Sequence, residues 1–395
     1  MKIKVAFFTL DMTMNGATKT LISLLQNLDY SKYDVDVYLG VRNGEYIDDF
    51  PKEVNIIDAP TYSNNLPELF MSALKHPIHM LTALMQSRYL KPGNKKIIEC
   101  EAVSKRMPIV DKQYDVAISY RHYNIDTFYV INNLKANKKY FWIHGEVKLQ
   151  EDEVKKLQGY YHKYDRIFPV SKTAAQSLCD YFPECSSKIE IAYSRVNEIE
   201  IREEAEKGST FPDMGMYNGV RIFSIGRLSK EKGFALTIDA CALLKKSGYD
   251  FRLYILGDGP EKESLKKMIS DYSLENECIL LGASKNPYGY LKDCDIYVQS
   301  SYSESYCLAV HEARVLHKPI VATSIPAFRE QLLDNHTGLI CELNAQDLSN
   351  KLKYLIESAE KRTEMSHNLS MQTNTYEWAD VVLDKCIQKD CNDNA

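Results

Sequence analysis

The chain has 395 residues, of which 45% are hydrophobic and 26% are charged, and its formal net charge is −5. A chain of this length is too long for one ordinary hydrophobic core and predicts two domains with a linker. The composition is typical of a globular protein and excludes a disordered or fibrous one. The acidic balance gives no reason to expect nucleic acid as a partner.

The sequence also makes predictions about the compartment and about metal. The apolar run at residues 5–10 is too short for a signal-peptide core, and no stretch reaches the ~18 apolar residues that span a bilayer. We therefore expect a cytoplasmic protein. The ten cysteines include no Cys-x-x-Cys pair, which favours buried reduced thiols over a zinc site or disulfides.

Short apolar strands alternate with amphipathic helices along the chain, a pattern that predicts α/β domains with parallel sheets. In the first half we predict strands at residues 4–10, 35–39, 54–57, 115–119, 140–143 and 166–170, and helices at 16–28 and from 171. In the second half we predict strands at residues 221–225, 251–256, 278–281, 296–299 and 320–322, and helices at 234–246, 261–271, 309–316 and 376–389.

A change in composition separates the two series. Residues 198–218 are charged and then rich in glycine, proline and methionine, which is typical of a linker. We predict an amino-terminal domain at 1–200, a linker at 201–219, a second domain at 220–375 and a carboxyl-terminal helix and tail at 376–395. Two doubly wound domains that face each other would bind ligands at the carboxyl ends of their strands.

The segment after the strand at 221–225 has the features of an anion-binding loop. Residues 226–233 lie between a strand and a helix, where backbone N–H groups and the positive helix end meet a ligand. Arg227 adds a forked guanidinium and Lys232 adds a point charge, a set that suits a diphosphate. A solvated basic helix start is the structural alternative.

A second strand-to-helix loop, at residues 303–312, carries two carboxylates. Glu304 falls in the loop, and Glu312 lies one to two turns inside the helix. The first can accept hydrogen bonds from sugar hydroxyls, and the second can hold a ribose diol. Nothing in the spacing places them on either side of one bond, as glycoside hydrolysis requires. A loop glutamate and a surface helix glutamate are the structural alternative.

Two residues of the first domain complete the candidates. His144 follows an apolar strand and would face the ligand edge of the sheet, where it can hydrogen-bond a substrate or a phosphate. Gly16, between the first strand and the first helix, permits a tight turn and a close approach of a ligand. A structural histidine and an ordinary turn glycine are the alternatives.

Taken in this order, the loops resemble glycosyltransferase family 4, a large group with the GT-B fold. The strongest element is Glu304 followed eight residues later by Glu312, which is similar to the Glu-x7-Glu motif of the family. Gly-Arg-Leu-x-x-x-Lys-Gly at 226–233 is the second. Weaker matches lie at 257–260, 286–288 and 318–323, and looser ones at 15–17 and 142–144. The resemblance implies two facing Rossmann-like domains, with the carboxyl-terminal helix packing back on the first.

The resemblance implies a retaining glycosyltransferase. It would move a hexose or N-acetylhexosamine from a nucleotide-diphosphate sugar, here a UDP-sugar, to a glycan or lipid-linked acceptor in surface polysaccharide or glycolipid synthesis. Catalytic roles would fall to Glu304, His144, Arg227 and Lys232. Donor binding would fall to Gly16, Gly226, Arg227, Lys232, Gly257, Ser284, Glu304, Tyr306, Cys307, Leu308 and Glu312. Neither a metal nor a cofactor is implied, since basic side chains and helix ends would replace a cation.

Three places depart from the family pattern. Ser305 and Cys307 stand where glycine is common, which narrows the loop. Asn15 precedes a single glycine where a glycine pair is frequent. The sequence at 193–195 lacks the asparagine that often follows the tyrosine, so no role is assigned to that loop.

Residues 66–96 are predicted to meet an anionic membrane. They combine apolar residues at helical spacing with Lys91, Lys95 and Lys96, and residues 66–148 hold 13 Lys and Arg against 7 Asp and Glu. Such a surface can lie on anionic lipid, which would place the protein at the inner face of the cytoplasmic membrane. Core-facing helices with an exposed basic turn are the alternative.

Two other functions fit the same fold: a nucleotide-sugar epimerase, and a non-catalytic protein that binds a sugar nucleotide. The pair Glu304 and Glu312, together with the 226–233 loop, favours a transferase over an epimerase. All the expected donor-site residues are present, which disfavours a non-catalytic protein.

Overall fold

The computed structural model describes residues 2–13, 15–59, 97, 100–105, 107–122, 125–208, 210–372 and 376–392. The chain divides into two compact units. Unit 1 contains residues 1–195 and 376–395, and unit 2 contains residues 196–375. Each unit has its own six-stranded sheet.

The sheet of unit 1 is parallel throughout. Its strands are β1 (Ile3–Thr9), β2 (Tyr33–Leu39), β3 (Asn55–Asp58), β4 (Val110–Ser119), β5 (Leu134–Ile143) and β6 (Arg166–Pro169). The strand order is β3-β2-β1-β4-β5-β6, so the direction of winding reverses between β1 and β4. Val5, Ala6 and Phe7 of β1 are at most 1% exposed, because a strand covered on both faces buries successive side chains.

The described part of unit 1 includes the helices α1 (Gly16–Gln26), α2 (Ile125–Asn133), α3 (Glu151–Tyr161) and α4 (Lys172–Tyr181). Side-chain caps open α1 and α4. Asn15 accepts a hydrogen bond from the backbone N–H of Thr18 at 3.0 Å at the start of α1. Ser171 accepts from Ala174 in the same way at the start of α4. These side chains satisfy N–H groups that a helix end leaves without partners.

The C-terminal helix (Ala379–Asn392) packs on unit 1, which confirms the expected packing on the first domain. The Asp390 carboxylate accepts hydrogen bonds from Arg166 Nε at 2.8 Å and Nη2 at 2.5 Å. It also accepts one from Tyr140 Oη at 2.7 Å. Tyr140 and Arg166 are register partners on β5 and β6, so this forked pair joins the helix to the sheet.

Unit 2 repeats the same architecture. Its strands are β7 (Val220–Ile225), β8 (Phe251–Leu256), β9 (Cys278–Gly282), β10 (Ile296–Gln299), β11 (Ile320–Thr323) and β12 (Leu339–Cys341). They are parallel in the order β12-β11-β10-β7-β8-β9, with the reversal between β7 and β10. Both sheets therefore have doubly wound Rossmann order, in which ligands bind outside the carboxyl ends of the strands at the reversal.

The helices of unit 2 are α5 (Glu198–Lys207), α6 (Phe234–Lys246), α7 (Lys262–Asp271), α8 (Tyr288–Asp293), α9 (Leu308–Val315), α10 (Pro326–Gln331), α11 (Ala345–Glu357) and α12 (Ala359–Met371). The first of them corrects the linker predicted at 201–219. Residues 198–207 form a helix that packs on α8 and α9, with Ile201 and Ala205 buried. The segment resembles a charged linker because so few of its residues are apolar, and those few suffice to bury one narrow stripe.

The predicted membrane contact at 66–96 lies outside the described residues. Among the residues that are described, no helix combines the length and apolar character needed to cross a membrane.

Asp390→Ala should lower the free energy of unfolding of unit 1 by about 2–4 kcal/mol, because it removes the acceptor of a buried guanidinium and of a buried hydroxyl. Denaturant unfolding followed by tryptophan fluorescence tests this, since both tryptophans, Trp142 and Trp378, belong to unit 1. Lys385→Ala on the same helix is the control. Its ion pair with Glu377 has both side chains 59% exposed and should contribute less than about 1 kcal/mol. Equal losses in the two variants would contradict the account.

Candidate functional site

The loops after β7 and β10 touch at the reversal point of the unit 2 sheet. Gly233 has a φ of 66°, and a Cβ there would lie 2.0 Å from the carbonyl oxygen of Ser300. Ser300 Oγ donates to the carbonyl of Gly233 at 2.7 Å and accepts from Thr237 Oγ1 at 2.7 Å. Glycine is therefore required at this contact for both its conformation and its size.

The loop after β8 holds the 226–233 loop from the other side. Gly257 has a φ of 153°, and a Cβ there would lie 1.9 Å from the carbonyl oxygen of Gly226. The backbone N–H of Leu228 donates to the carbonyl of Asp258 at 2.9 Å. The predicted donor residues Gly226 and Gly257 are thus brought into contact by the packing of two strand-end loops.

An ion pair joins the loops after β7 and β10. Lys232 Nζ lies 2.6 Å from Glu304 Oε1, and the two side chains are 24% and 10% exposed. Burial lowers the pKa of Lys232, but the charge of Glu304 and of neighbouring groups outweighs it, and the pKa is raised overall. Lys232 therefore carries a positive charge at the ligand edge of the sheet.

A chain of buried side chains leads from Glu304 back into β10. Ser301 Oγ donates to Glu304 Oε1 at 2.8 Å and accepts from Gln299 Nε2 at 2.9 Å. Tyr297 Oη donates to Gln299 Oε1. In the described part of the chain, both contacts of the Glu304 carboxylate fall on Oε1, so Oε2 is the oxygen that can accept from a ligand.

The segment that leads into α9 has an unusual backbone conformation. Cys307 has a φ of 67°, in a region that residues with a Cβ enter at a cost of about 1 kcal/mol or more. Gln331 donates to the carbonyl of Tyr306 and, at 3.4 Å, to that of Cys307. Burial raises the pKa of the Cys307 thiol. The residue that departs from the family glycine is therefore a protonated thiol held in a glycine-like conformation, immediately before Leu308 opens α9.

Glu312 lies inside α9 and is 4% exposed. Tyr288 Oη donates to its Oε1 at 3.3 Å. In the loop before Tyr288, Ser284 Oγ accepts from the N–H of Asn286 at 3.2 Å, and Asn286 Nδ2 donates to the carbonyl of Glu204 at 2.9 Å. The loop that carries the predicted donor residue Ser284 is thus tied to α5.

His311, next to Glu312 on α9, is buried at 1% exposure. Its Nδ1 lies 3.1 Å from Tyr306 Oη and 3.4 Å from Arg314 Nη1. Burial, together with the charge of Arg314, lowers the pKa of His311 to about 3. The ring is therefore neutral at neutral pH.

In unit 1, His144 follows β5 and packs on Tyr120, with ring centroids 4.7 Å apart. Tyr120 Oη donates to Thr20 Oγ1 of α1 at 3.1 Å, so His144 and the helix that opens at Gly16 share one edge of the sheet. Burial and the neighbouring His122 lower the pKa of His144 to about 3. A neutral imidazole suits hydrogen bonding to a ligand better than charge pairing with it.

Arg121 connects the ends of β1 and β4 at the same edge. Its guanidinium donates to the carbonyl of Asp11 at 2.9 Å and to Thr18 Oγ1 at 2.8 Å, and it lies 3.4 Å from the Asp11 carboxylate. The sequence analysis did not identify this pair. Their positions directly after two strands that flank the reversal are the signal that could have found them.

Residues 218–370 match the family model described as "Glycosyl transferases group 1". This match supports the glycosyltransferase predicted from the strand-end loops, and the matched segment contains the Lys232–Glu304 pair.

The chain is similar to two curated glycosyltransferases. One is N-acetylgalactosamine-N,N'-diacetylbacillosaminyl-diphospho-undecaprenol 4-alpha-N-acetylgalactosaminyltransferase of Campylobacter jejuni, 29% identical over 226 residues, which cover 57% of this chain and 60% of the relative. The other is poly(ribitol-phosphate) alpha-N-acetylglucosaminyltransferase of Staphylococcus aureus, 29% identical over 136 residues, which cover 34% and 28%. The chain therefore spans less than two thirds of the length of either relative.

Among solved structures, HepE of Anabaena in complex with UDP and glucose superimposes with a TM-score of 0.70 at 15% identity, covering 98% of this chain and 99% of HepE. At this identity the likeness concerns the fold alone. It confirms the predicted GT-B class, with one Rossmann-like sheet in each unit.

Five of the predicted donor residues lie together in unit 2. Gly226, Lys232, Gly257, Glu304 and Cys307 share direct contacts or the same loop junction, whereas the side chain of Arg227 is exposed. Three supporting residues escaped the sequence analysis: Ser300, Ser301 and Gln299. Their position at the end of a buried strand at the reversal point is the only sequence signal for them.

His311 should make the stability of unit 2 depend on pH. Its pKa is about 3 in the folded chain and about 6.5 in an unfolded one, so its stabilising contribution is complete above about pH 6.5 and is lost progressively as the pH falls towards 3. Between about pH 7 and 5 this loss amounts to about 2 kcal/mol. Denaturant unfolding followed by circular dichroism should therefore show a flatter pH dependence for His311→Gln than for the wild type. His367→Gln, at an exposed position, is the control, and parallel curves for all three proteins would contradict the prediction.

Proposed function

We propose that the protein is a retaining glycosyltransferase that moves a hexose or N-acetylhexosamine from a UDP-sugar to a glycan or lipid-linked acceptor in surface polysaccharide or glycolipid synthesis. The observation that carries the proposal is the largely buried Lys232–Glu304 pair, 2.6 Å apart, at the reversal point of a sheet in the segment that matches the glycosyltransferase group 1 model.

The chemistry needs positive charge where the leaving group develops negative charge. When the bond between the anomeric carbon and the diphosphate oxygen breaks, the diphosphate gains a negative charge that preorganised donors can stabilise. Among the described residues Lys232 uses one of its three N–H donors on Glu304, which leaves the others for phosphate oxygens. The exposed Arg227 and the amino-terminal end of α6 supply further positive potential.

The two glutamates have separate proposed tasks. Glu304, held through Oε1 by Lys232 and Ser301, would accept hydrogen bonds from sugar hydroxyls through Oε2. Glu312 would hold the ribose, with Ser284 near the nucleobase and backbone groups of Tyr306, Cys307 and Leu308 near the phosphates. Gly226 and Gly257 would let the backbone approach the donor closely. In unit 1, His144 has a proposed catalytic role, and Gly16 has a proposed role in donor binding.

The finer assignments rest on the relatives and on the family resemblance. The Campylobacter relative is named for a diphospho-undecaprenol substrate, and HepE was crystallised with UDP and glucose. These names support a lipid-linked acceptor and a UDP-sugar here. Retention of the anomeric configuration is the expectation for the family that the Glu304–Glu312 motif resembles. We further propose that the reaction needs no metal, because Lys232, Arg227 and the helix ends would supply the positive charge that a metal ion would otherwise provide.

A donor screen that follows UDP, GDP or ADP release from the corresponding sugar nucleotides, with membrane lipid extracts as acceptor source, tests the proposal. We expect turnover of a UDP-sugar that survives EDTA. Lys232→Ala and Glu304→Ala should each reduce kcat/KM about 100-fold or more, since each removes preorganised charge or its support. Lys230→Ala is the matched control, because Lys230 lies in the same loop with an exposed side chain and should remain near wild type.

Other results would overturn the proposal. Conversion of the sugar nucleotide without nucleotide release would indicate an epimerase, and donor binding without any conversion would indicate a non-catalytic binding protein. Equal losses in Lys230→Ala and Lys232→Ala would remove the special role of Lys232.

The proposed membrane contact at 66–96 and the location at the inner face of the cytoplasmic membrane would be discarded if the protein failed to sediment with anionic vesicles at low salt.

A further inference from the structure

A polar cavity lies in unit 2, apart from the residues assigned to the donor. It has a volume of about 120 Å³ and opens between α5, α9 and the end of α12. From α9 it is lined by His311 and Arg314, which with Val315 share one helix face by their i, i+3 and i+4 spacing. Glu312, the proposed ribose-binding residue, is not among the residues that line this cavity.

The lining is rich in positive charge and in hydrogen-bond donors. Arg314 is 7% exposed and His311 is 1% exposed, so both belong to the floor of the cavity. Arg202 of α5 contributes a second guanidinium from the exposed rim. A guanidinium is always charged, has donors only and matches the geometry of an oxyanion. His317 and Ser370 add a ring nitrogen and a hydroxyl.

One acid shares the cavity. Glu198 lines it one turn before Arg202 on α5, so the lining has two arginines against one glutamate. Glu198 and Arg202 both act on His317 electrostatically, in opposite directions. The excess of positive charge favours an anionic ligand, and the glutamate should weaken its binding.

The size of the cavity decides between ligand classes. Pockets for drug-sized molecules occupy about 300–1,000 Å³, so a nucleotide sugar does not fit in 120 Å³. A water molecule occupies about 30 Å³ in the liquid, so the cavity has room for about four waters, or for one tetrahedral oxyanion with water beside it. Two guanidinium groups on different helices suit a doubly charged ion better than a singly charged one.

We propose that this cavity binds a phosphate-class dianion between Arg202 and Arg314, with a ring nitrogen of His317 as an additional donor. The ion would join α5, the first helix of unit 2, to α9 and to the end of α12, its last helix. It would also lie one side chain away from the 305–308 segment, because His311 contacts Tyr306 Oη at 3.1 Å. The site stands whether or not the donor is a UDP-sugar, since none of the residues assigned to the donor lines it.

Isothermal titration of the full chain with inorganic phosphate, at neutral pH and at ionic strength held constant with sodium chloride, tests the proposal. With UDP at a saturating concentration to occupy the donor loop, we expect one saturable phosphate site in the wild type. Arg202→Gln, at an exposed position that the fold does not need, should weaken binding about tenfold or more, the usual effect of losing a charge-assisted hydrogen bond. Glu198→Gln on the same helix should strengthen binding a few-fold, because it removes the opposing charge.

Lys232→Met separates this site from the donor loop, which also has affinity for phosphate under the proposed function. Phosphate binding should persist in Lys232→Met, and saturating UDP should not compete with it. Two results would overturn the proposal. One is the absence of saturable phosphate binding in the wild type. The other is binding that Lys232→Met abolishes and that Arg202→Gln and Glu198→Gln leave unchanged, since phosphate would then be bound at the donor loop.

Discussion

A lysine ammonium that is three-quarters buried needs a carboxylate beside it, and the ligand edge of unit 2 is arranged around the resulting pair, Lys232 and Glu304. The pair can form only if the loops after β7 and β10 come into direct contact, which the absence of a side chain at Gly233 permits. The Glu304 carboxylate keeps its position because Ser301 donates a hydrogen bond to it and Gln299 in turn donates to Ser301. Charge, backbone conformation and buried hydrogen bonds therefore depend on one another here, as expected of a polar network in a low-dielectric setting.

The same principle operates at the ligand edge of unit 1 with different groups. Arg121 and Asp11 lie at the ends of the strands that flank its reversal, where unit 2 has its lysine and glutamate loops. The imidazole of His144 beside them is in its neutral form. Each unit thus concentrates its polar side chains where a doubly wound sheet leaves the ends of its strands uncovered, while the strands themselves are filled with apolar residues.

The sequence predicted the features that depend on local pattern. All the strands except β12 follow from apolar runs, and Lys232 and Glu304 follow from their places after two of those runs. Ser301 and Gln299 could not be singled out, because polar residues near a strand end are common and their partner lies in three dimensions. The sequence predicts a linker that overlaps the helix at 198–207. Ile201 and Ala205 can be identified as core residues only once their contacts with the helices α8 and α9 are known. The sequence could not predict the left-handed conformation of Cys307 either. That conformation depends on Gln331, which lies 24 residues further along the chain and donates a hydrogen bond to the carbonyl of Cys307.

The most direct test of the central claim compares the affinities of UDP and UMP for the wild type, Lys232→Met and Lys230→Met by isothermal titration. If Lys232 holds the terminal phosphate of the donor, the wild type and Lys230→Met should bind UDP about 10- to 100-fold more tightly than UMP, the usual range for charge-assisted contacts. In Lys232→Met that preference should fall close to unity while UMP affinity stays the same. A preference for UDP that is unchanged in Lys232→Met would contradict the account.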